Sequence, residues 1–263
     1  MAGYFPTPPE ATRRVVGLLR RPTSSPSSYS RGMTILDPCA GEGAALEVLV
    51  GALKGIPYAV EMEATRFAAI GAGQNRWGWK VLHGDFFNVA PCEKGYADLL
   101  WHNPPYDTDR EFGRLEERFL LRALTHLAKD GVLVHIVPGY ALAASAATLS
   151  REFASDVMCW RFPDEGGLYQ QYKQVVLVAR RSHQTFPNRQ VEDQVRGWAS
   201  NPEALPELPA CPEPIIHVPS RGETPERWEV DSCDISAALD GFHPWVGERG
   251  EVPDVCPPVD LAT

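Results

Sequence analysis

From Met33 to Arg180, short apolar runs alternate with segments of helical period, and no other feature constrains the fold of this chain as strongly. The spacing predicts strands at 33–37, 57–61, 79–83, 96–101 and 131–137, with helices at 43–53, 62–74, 113–128 and 143–153. Strands that alternate with helices build βαβ units, and those units assemble into a doubly wound, mostly parallel sheet of the α/β class. Two further strands, at 156–162 and 174–180, flank the turn-rich Pro163-Asp164-Glu165-Gly166-Gly167 and predict an antiparallel hairpin at one sheet edge. A helix over 8–20, opened by Pro8 and Pro9, precedes the first strand across a polar connection at 23–28. In sheets of this class, ligands bind beyond the carboxyl ends of the strands. The residues that follow each predicted strand are therefore where chemistry is expected.

Three of those strand ends carry a compatible set. Asp37-Pro38-Cys39-Ala40-Gly41-Glu42-Gly43 follows the first strand and opens the first helix; its glycines permit close backbone approach, and Asp37 can accept from an ammonium group. The spacing departs from the dinucleotide fingerprint, and Glu42 sits between the glycines. Asp37 and Glu42 would repel a phosphate, so a cationic sulfonium bearing an amino acid is the better match. The second strand ends at Glu61, placed to grip ribose hydroxyls, with Met62 next to it. The third is followed by Gly84-Asp85-Phe86-Phe87, in which Asp85 can accept from an adenine amino group and Phe86 can pack on the ring. Each segment alone also reads as an ordinary turn; their order at successive strand ends favours one nucleoside site.

The fourth strand runs into Asn103-Pro104-Pro105-Tyr106. Two prolines keep the backbone extended and remove two N–H donors, so carbonyls and the asparagine amide point outward together. Such a platform presents acceptors to a planar NH2 group, whose delocalised lone pair needs that help to attack, and Tyr106 can stack on the ring that bears it. A proline-rich turn after a buried strand is the plainer reading of the tetrapeptide.

Composition bounds the partners. The 263 residues are 44% hydrophobic, with no run approaching the ~18 apolar residues of a membrane span and no signal pattern in the first residues, so a cytoplasmic protein is expected. Six cysteines lie scattered without a CxxC pair, and no metal is expected. The formal charge of −9 is unevenly placed: residues 1–181 hold 20 Lys and Arg against 19 Asp and Glu, whereas residues 182–263 hold 5 against 15. The expected division is a catalytic domain over 1–181 and an acidic, proline-rich extension over 182–263 that drapes over it, helical near 189–199 and 233–239.

With these residues in view, the chain resembles the S-adenosylmethionine-dependent amino-methyltransferases, especially the N6-adenine DNA methyltransferases. Asp37 to Gly43 looks like that family's cofactor loop, Glu61 like its ribose acid, Asp85-Phe86 like its adenine-contacting pair and Asn103-Pro104-Pro105-Tyr106 like its catalytic motif. Tyr4-Phe5-Pro6-Thr7-Pro8 resembles the segment that helps hold the methionine end of the cofactor; its place before the glycine loop, with the catalytic motif after, is similar to the gamma-type order. The resemblance covers about residues 4–181 and implies a seven-stranded sheet with an antiparallel last strand, S-adenosylmethionine as cofactor, and DNA with a flipped adenine as acceptor. The acidic extension does not resemble a target-recognition domain, which points to a separate specificity partner. RNA adenine, a protein glutamine amide and a catalytically silent binding module of the same fold are the alternatives.

Overall fold

The structure, a computed structural model, describes residues 5–20, 32–73, 78–90, 92, 95–109, 113–153, 155–183 and 186–230. Seven strands form one sheet: β1 (Thr34–Asp37), β2 (Ile56–Glu61), β3 (Lys80–His83), β4 (Ala97–His102), β5 (Leu127–Pro138), β6 (Met158–Arg161) and β7 (Gln174–Arg180). Their order is β3-β2-β1-β4-β5-β7-β6. Neighbours from β3 to β5 pair in parallel, and β7 runs antiparallel to both β5 and β6. The predicted α/β fold with seven strands and an antiparallel last strand is the observed one. The order reverses between β1 and β4, and the crevice at that switch point faces both the glycine loop and Asn103.

Sequence pattern explains the layering. Along β1, β4 and β5, adjacent residues are buried on opposite faces: Ile35, Leu99 and Val132 enter one core, Leu36, Leu100 and Leu133 the other. A strand covered on both faces reads as a continuous apolar run, which is what the chain shows. The first core takes Ala11, Val15 and Val16 of α1 (Pro9–Gly17), Leu46, Leu49 and Leu53 of α2 (Ala44–Leu53) and Ile70 of α3 (Ala64–Ala72). The second takes Phe119, Leu120 and Ala123 of α4 (Leu115–Leu124), Leu142, Ala146 and Leu149 of α5 (Leu142–Glu152), and Val191 and Val195 of α7 (Arg189–Ser200).

Several expected boundaries move for local reasons. The helix predicted over 113–128 ends at Leu124, because Leu127 pairs with Ala97 and extends β5 backwards through a left-handed Asp130 (φ 62°). The helix predicted over 8–20 stops at Gly17, and Leu19–Arg20 pairs instead with Ile216–His217. The strands at 158–161 and 174–180 do pair, but a 3-10 turn and α6 (Leu168–Tyr172) join them, and β7 inserts inside the sheet so that β6 forms the edge. The helix expected over 233–239 lies outside the described residues.

Residues 186–230 form a strap. Arg161 N–H donates to Pro206 O (3.0 Å) and Leu208 N–H to Arg161 O (2.9 Å), which covers the β6 edge. The strap crosses to the amino ends of the strands, where Arg221 pairs with Asp98 (2.8 Å), a β4 carboxylate with no exposed surface that also accepts from Thr34 N–H (3.0 Å). It ends at the opposite edge, where Trp228 packs on Tyr58 and Tyr96 and Glu229 O accepts from Ala90 N–H (3.0 Å). The β3–β4 connection has only a 3-10 turn, Phe86–Asn88, among its described residues. Trp228 and Val230 fill the face that a helix there would cover.

Candidate active site

The cofactor side is built from main-chain turns closed by carboxylates. Asp37 ends β1 in a buried position, and its Oδ1 accepts from Cys39 N–H (3.0 Å). Burial raises its carboxyl to about 7 against the restraint of that hydrogen bond, and the nearby Glu61 charge pushes the same way. Ala40 N–H donates to Val60 O (3.0 Å), and the chain then turns through Gly41 (φ 57°) and Gly43 (φ 82°), the latter capping α2. Left-handed φ at both positions is why glycine stands there. Glu42 between them is exposed, and burial pushes the half-buried Cys39 thiol well above its ordinary range, so it holds no thiolate.

Glu61 joins this loop to the end of β2. Its Oε2 accepts from Gly41 N–H (2.8 Å), and its Oε1 from Glu63 N–H (2.8 Å) and from Arg66 Nε (3.0 Å) and Nη2 (2.8 Å). A carboxylate accepts about four hydrogen bonds, so a ribose diol at Glu61 competes with Arg66, a residue the strand-end reading did not single out. Met62 follows, its carbonyl hydrogen-bonded to His83 (3.2 Å). Asp85 accepts from Phe87 N–H (2.9 Å) and caps the turn after β3.

Phe86 departs from expectation. Its ring is 2% exposed and lies in the core against Phe119 and His126 rather than along the cleft. With no helix in the described β3–β4 connection to shield that face, the ring is drawn inward. Tyr169 is also fully buried, beneath Arg161 and Lys173. Trp101 is core. Tyr4 and Trp77 lie outside the described residues.

The acceptor side is a neutral network drawn from three distant parts of the chain. Asn103 Nδ2 donates to Phe5 O (2.9 Å) and to Thr7 Oγ1 (3.1 Å), and its Oδ1 accepts from the Tyr106 hydroxyl (2.6 Å). A peptide carbonyl can only accept, so the contact with Phe5 O fixes which end of the amide is NH2 and turns Oδ1 the other way. Pro104 is buried; Pro105, Pro8 and Tyr106 are half-buried. The Tyr106 ring stacks on Phe5 (centroids 5.2 Å, 13° between planes), and Tyr172 meets Phe5 edge-on at 5.9 Å. Phe5 and Tyr106 thus form an aromatic pair, and the Phe5 to Pro8 segment contacts Asn103 and Tyr106 directly.

Around this network lie residues that motif reading missed. Gln174, fully buried at the start of β7, donates from Nε2 to the Tyr106 hydroxyl (2.6 Å). Its one signal in the sequence is a lone amide opening the apolar run Gln174 to Ala179. Burial pushes the Tyr106 phenol far above the ordinary tyrosine range, with the Gln174 hydrogen bond opposing, so the hydroxyl keeps its proton. Arg114 lies over the Tyr140 ring (4.8 Å) and pairs with buried Glu116 (2.5 Å). Lys173 is held by Gln170 (2.8 Å) and by Glu203 of the strap (3.0 Å). Behind Asn103, buried His102 and His135 share one Nδ1···Nδ1 hydrogen bond (2.8 Å).

Among the described residues no cluster of His, Cys, Asp and Glu could hold a metal, and no helix is long and apolar enough to cross a membrane. Acidic acceptors at three strand ends fit a cationic nucleoside. S-adenosylmethionine is the cofactor that matches this donor set and this fold.

Comparison with known proteins agrees with the architecture. A Listeria monocytogenes protein assigned to the class I S-adenosylmethionine-dependent methyltransferases superposes with a TM-score of 0.50 at 14% identity, over 66% of this chain and 65% of that one. The methyltransferase subunit of a type I restriction-modification system from Streptococcus thermophilus gives 0.48 at 14% identity, over 76% of this chain and 54% of that one. The chain thus spans somewhat under two thirds of the first and about half of the second. No curated protein sequence matches the chain. Residues 1–221, which run past the change in composition at 181 and include Arg221, match the model of an uncharacterised methyltransferase family, DUF6094, and the chain belongs to that family.

Proposed function

We propose that this protein transfers a methyl group from S-adenosylmethionine to the N6 amino group of adenine in DNA. The observation that carries the reading is the fixed amide of Asn103: Phe5 O and Thr7 Oγ1 hold its NH2 end, which leaves Oδ1 as an oriented acceptor beside an aromatic pair. When bound, the cofactor would supply an activated methyl carbon to the amine lone pair, with the C–S electron pair leaving on sulfur, and the methylated nitrogen would shed a proton to water. Asn103 Oδ1 and the carbonyl of Pro104 draw on the amino hydrogens, localise the lone pair and stabilise the positive charge that develops on nitrogen. Tyr106 and Phe5 hold the ring plane, so the enzyme's main contribution is orientation. A duplex substrate must rotate its adenine out of the stack to reach them.

Asp37 is the acceptor for the cofactor's ammonium, Glu61 for its ribose and Asp85 for its adenine. Cations at the acceptor rim are already paired within the chain: Lys173 with Glu203 (3.0 Å), Arg161 with Glu207 (3.2 Å) and Arg14 with Glu165 (2.5 Å). This pairing supports target recognition by a separate partner, since sequence-independent DNA affinity comes largely from cations facing phosphates. Radiolabelled transfer to duplex DNA, single-stranded DNA, RNA and protein tests the proposal. The expected product is N6-methyladenine in DNA; label only in RNA or protein reassigns the acceptor, and no label in any of them removes the reading.

A further inference from the structure

The hydrogen bonds around Tyr106 have a single consistent direction, and one buried residue sets it. Asn103 Oδ1 can only accept, so the Tyr106 hydroxyl proton points at it (2.6 Å). The phenol oxygen then needs a donor behind it, and Gln174 Nε2 is that donor at 2.6 Å. Ile136 O, at 3.4 Å, is the other acceptor within reach of the same hydroxyl. If the hydroxyl turned there, the Asn103 oxygen would lose its lateral support.

We propose that Gln174 is a positioning residue: its buried amide fixes the direction in which the Tyr106 hydroxyl donates and so holds the Asn103 oxygen toward the acceptor nitrogen. Gln174 makes no sense as packing alone. It has no exposed surface, its Oε1 is buried without a hydrogen-bond partner, and the rest of its strand, Val175 to Ala179, is apolar. A buried unsatisfied amide oxygen carries a penalty that an aliphatic residue at this position would avoid. The Nε2 contact to Tyr106 is what the amide supplies in return. Nothing along 174–180 other than the amide itself announces this role, because its partners lie 68 and 71 positions away.

This role rests on the proposed amino methyl transfer for its kinetic consequence, though not for its structural one. Gln174→Met keeps length and removes the donor; Gln174→Glu keeps shape and offers an acceptor that pulls the hydroxyl proton away from Asn103. With whichever acceptor the wild type methylates, Gln174→Met lowers kcat about 10-fold, as expected for one lost neutral hydrogen bond, and Gln174→Glu lowers it further. The Kd for S-adenosylmethionine stays within about two-fold in both. In the Tyr106→Phe background, Gln174→Met costs little more, since the hydroxyl it directs is gone. Independently of activity, the side-chain NH2 resonances of Asn103 in 15N-labelled protein without cofactor shift alike in Gln174→Met and in Tyr106→Phe. Unchanged kcat in Gln174→Met, equal losses in both backgrounds, or Asn103 resonances indifferent to Gln174 would overturn the assignment. A wild type that methylates nothing sinks the proposed function, and the resonances then decide the role of Gln174.

Discussion

The two halves of the cleft differ in how they are made. On the cofactor side, carboxylates close turns within their own neighbourhood: Asp37 bonds two residues on, Asp85 two residues on, and Glu61 reaches its own helix entry and a loop 20 residues earlier. On the acceptor side, Asn103 is oriented by Phe5 and Thr7, nearly 100 residues before it, and Tyr106 by Gln174, 68 residues after it. One half is charged and local, the other neutral and assembled by the sheet. Charge suits a cationic cofactor that must be gripped. Neutral acceptors suit a weakly basic nitrogen, because a full charge beside it would bind a cation in place of the substrate.

The largest expected effect falls on the acceptor half. Asn103→Ala lowers kcat by about 100- to 1,000-fold, the range for losing one oriented polar group in an active site, while calorimetry finds cofactor affinity within about two-fold of wild type. A comparable loss of cofactor binding would show that the two halves are not separable. Next is Asp37, whose carboxyl stands near 7. If its charged form accepts the ammonium, as proposed, S-adenosylmethionine affinity rises between pH 6 and pH 8, and Asp37→Asn weakens binding about 10-fold and flattens that profile.

A smaller effect separates the halves by stability. Burial lowers His126 to about 4 and His135 to about 3, and it lowers His102 as well. A depressed folded value means that the unfolded chain takes up the proton first as pH falls. Stability is therefore complete above the ordinary histidine value and declines below it, by about 1.4 kcal/mol per imidazole for each pH unit until the folded value is reached. Asp37, Asp98, Glu116 and Glu117, all raised by burial, act in the opposite sense, Asp37 between about pH 4 and 7. Urea unfolding across pH 4.5–7.5 is expected to show the histidine sign prevailing, and replacing His102 and His135 together by phenylalanine shallows the slope. Smallest is Asn188→Ala, which removes the Oδ1 that accepts from Gln190 N–H at the start of α7 (3.0 Å) and costs about 1 kcal/mol of stability with kcat unchanged. A drop in kcat would tie the strap to catalysis.

The cofactor loop was legible because its requirements are local. Glycines at two left-handed positions and an acid at the end of a strand leave a signature in adjacent residues. Phe86 shows the limit of that signature: its place in the motif pointed to the cleft, but it packs in the core against Phe119 and His126. Gln174 shows the converse, since a single amide in an apolar strand has meaning only beside Tyr106. Of the strap, the helix near 189–199 was legible, and beyond it only composition. Its prolines and charge excluded a regular domain, yet the pairing of Arg221 with Asp98 and the seat of Trp228 on Tyr58 could not be read from a segment without periodicity.

By itself the sequence determined the alternating strands and helices, the antiparallel pair near 156–162 and 174–180, and the order of the motifs. Each of these follows from hydrophobic period and turn chemistry over a few residues. Only the tertiary structure decided which end of the Asn103 amide Phe5 and Thr7 hold, what stands behind the Tyr106 hydroxyl, and that Arg66 already holds Glu61. Those choices depend on hydrogen-bond partners that the chain brings together after it has folded, and the direction of a hydrogen bond is fixed by the chemistry of whatever group arrives opposite.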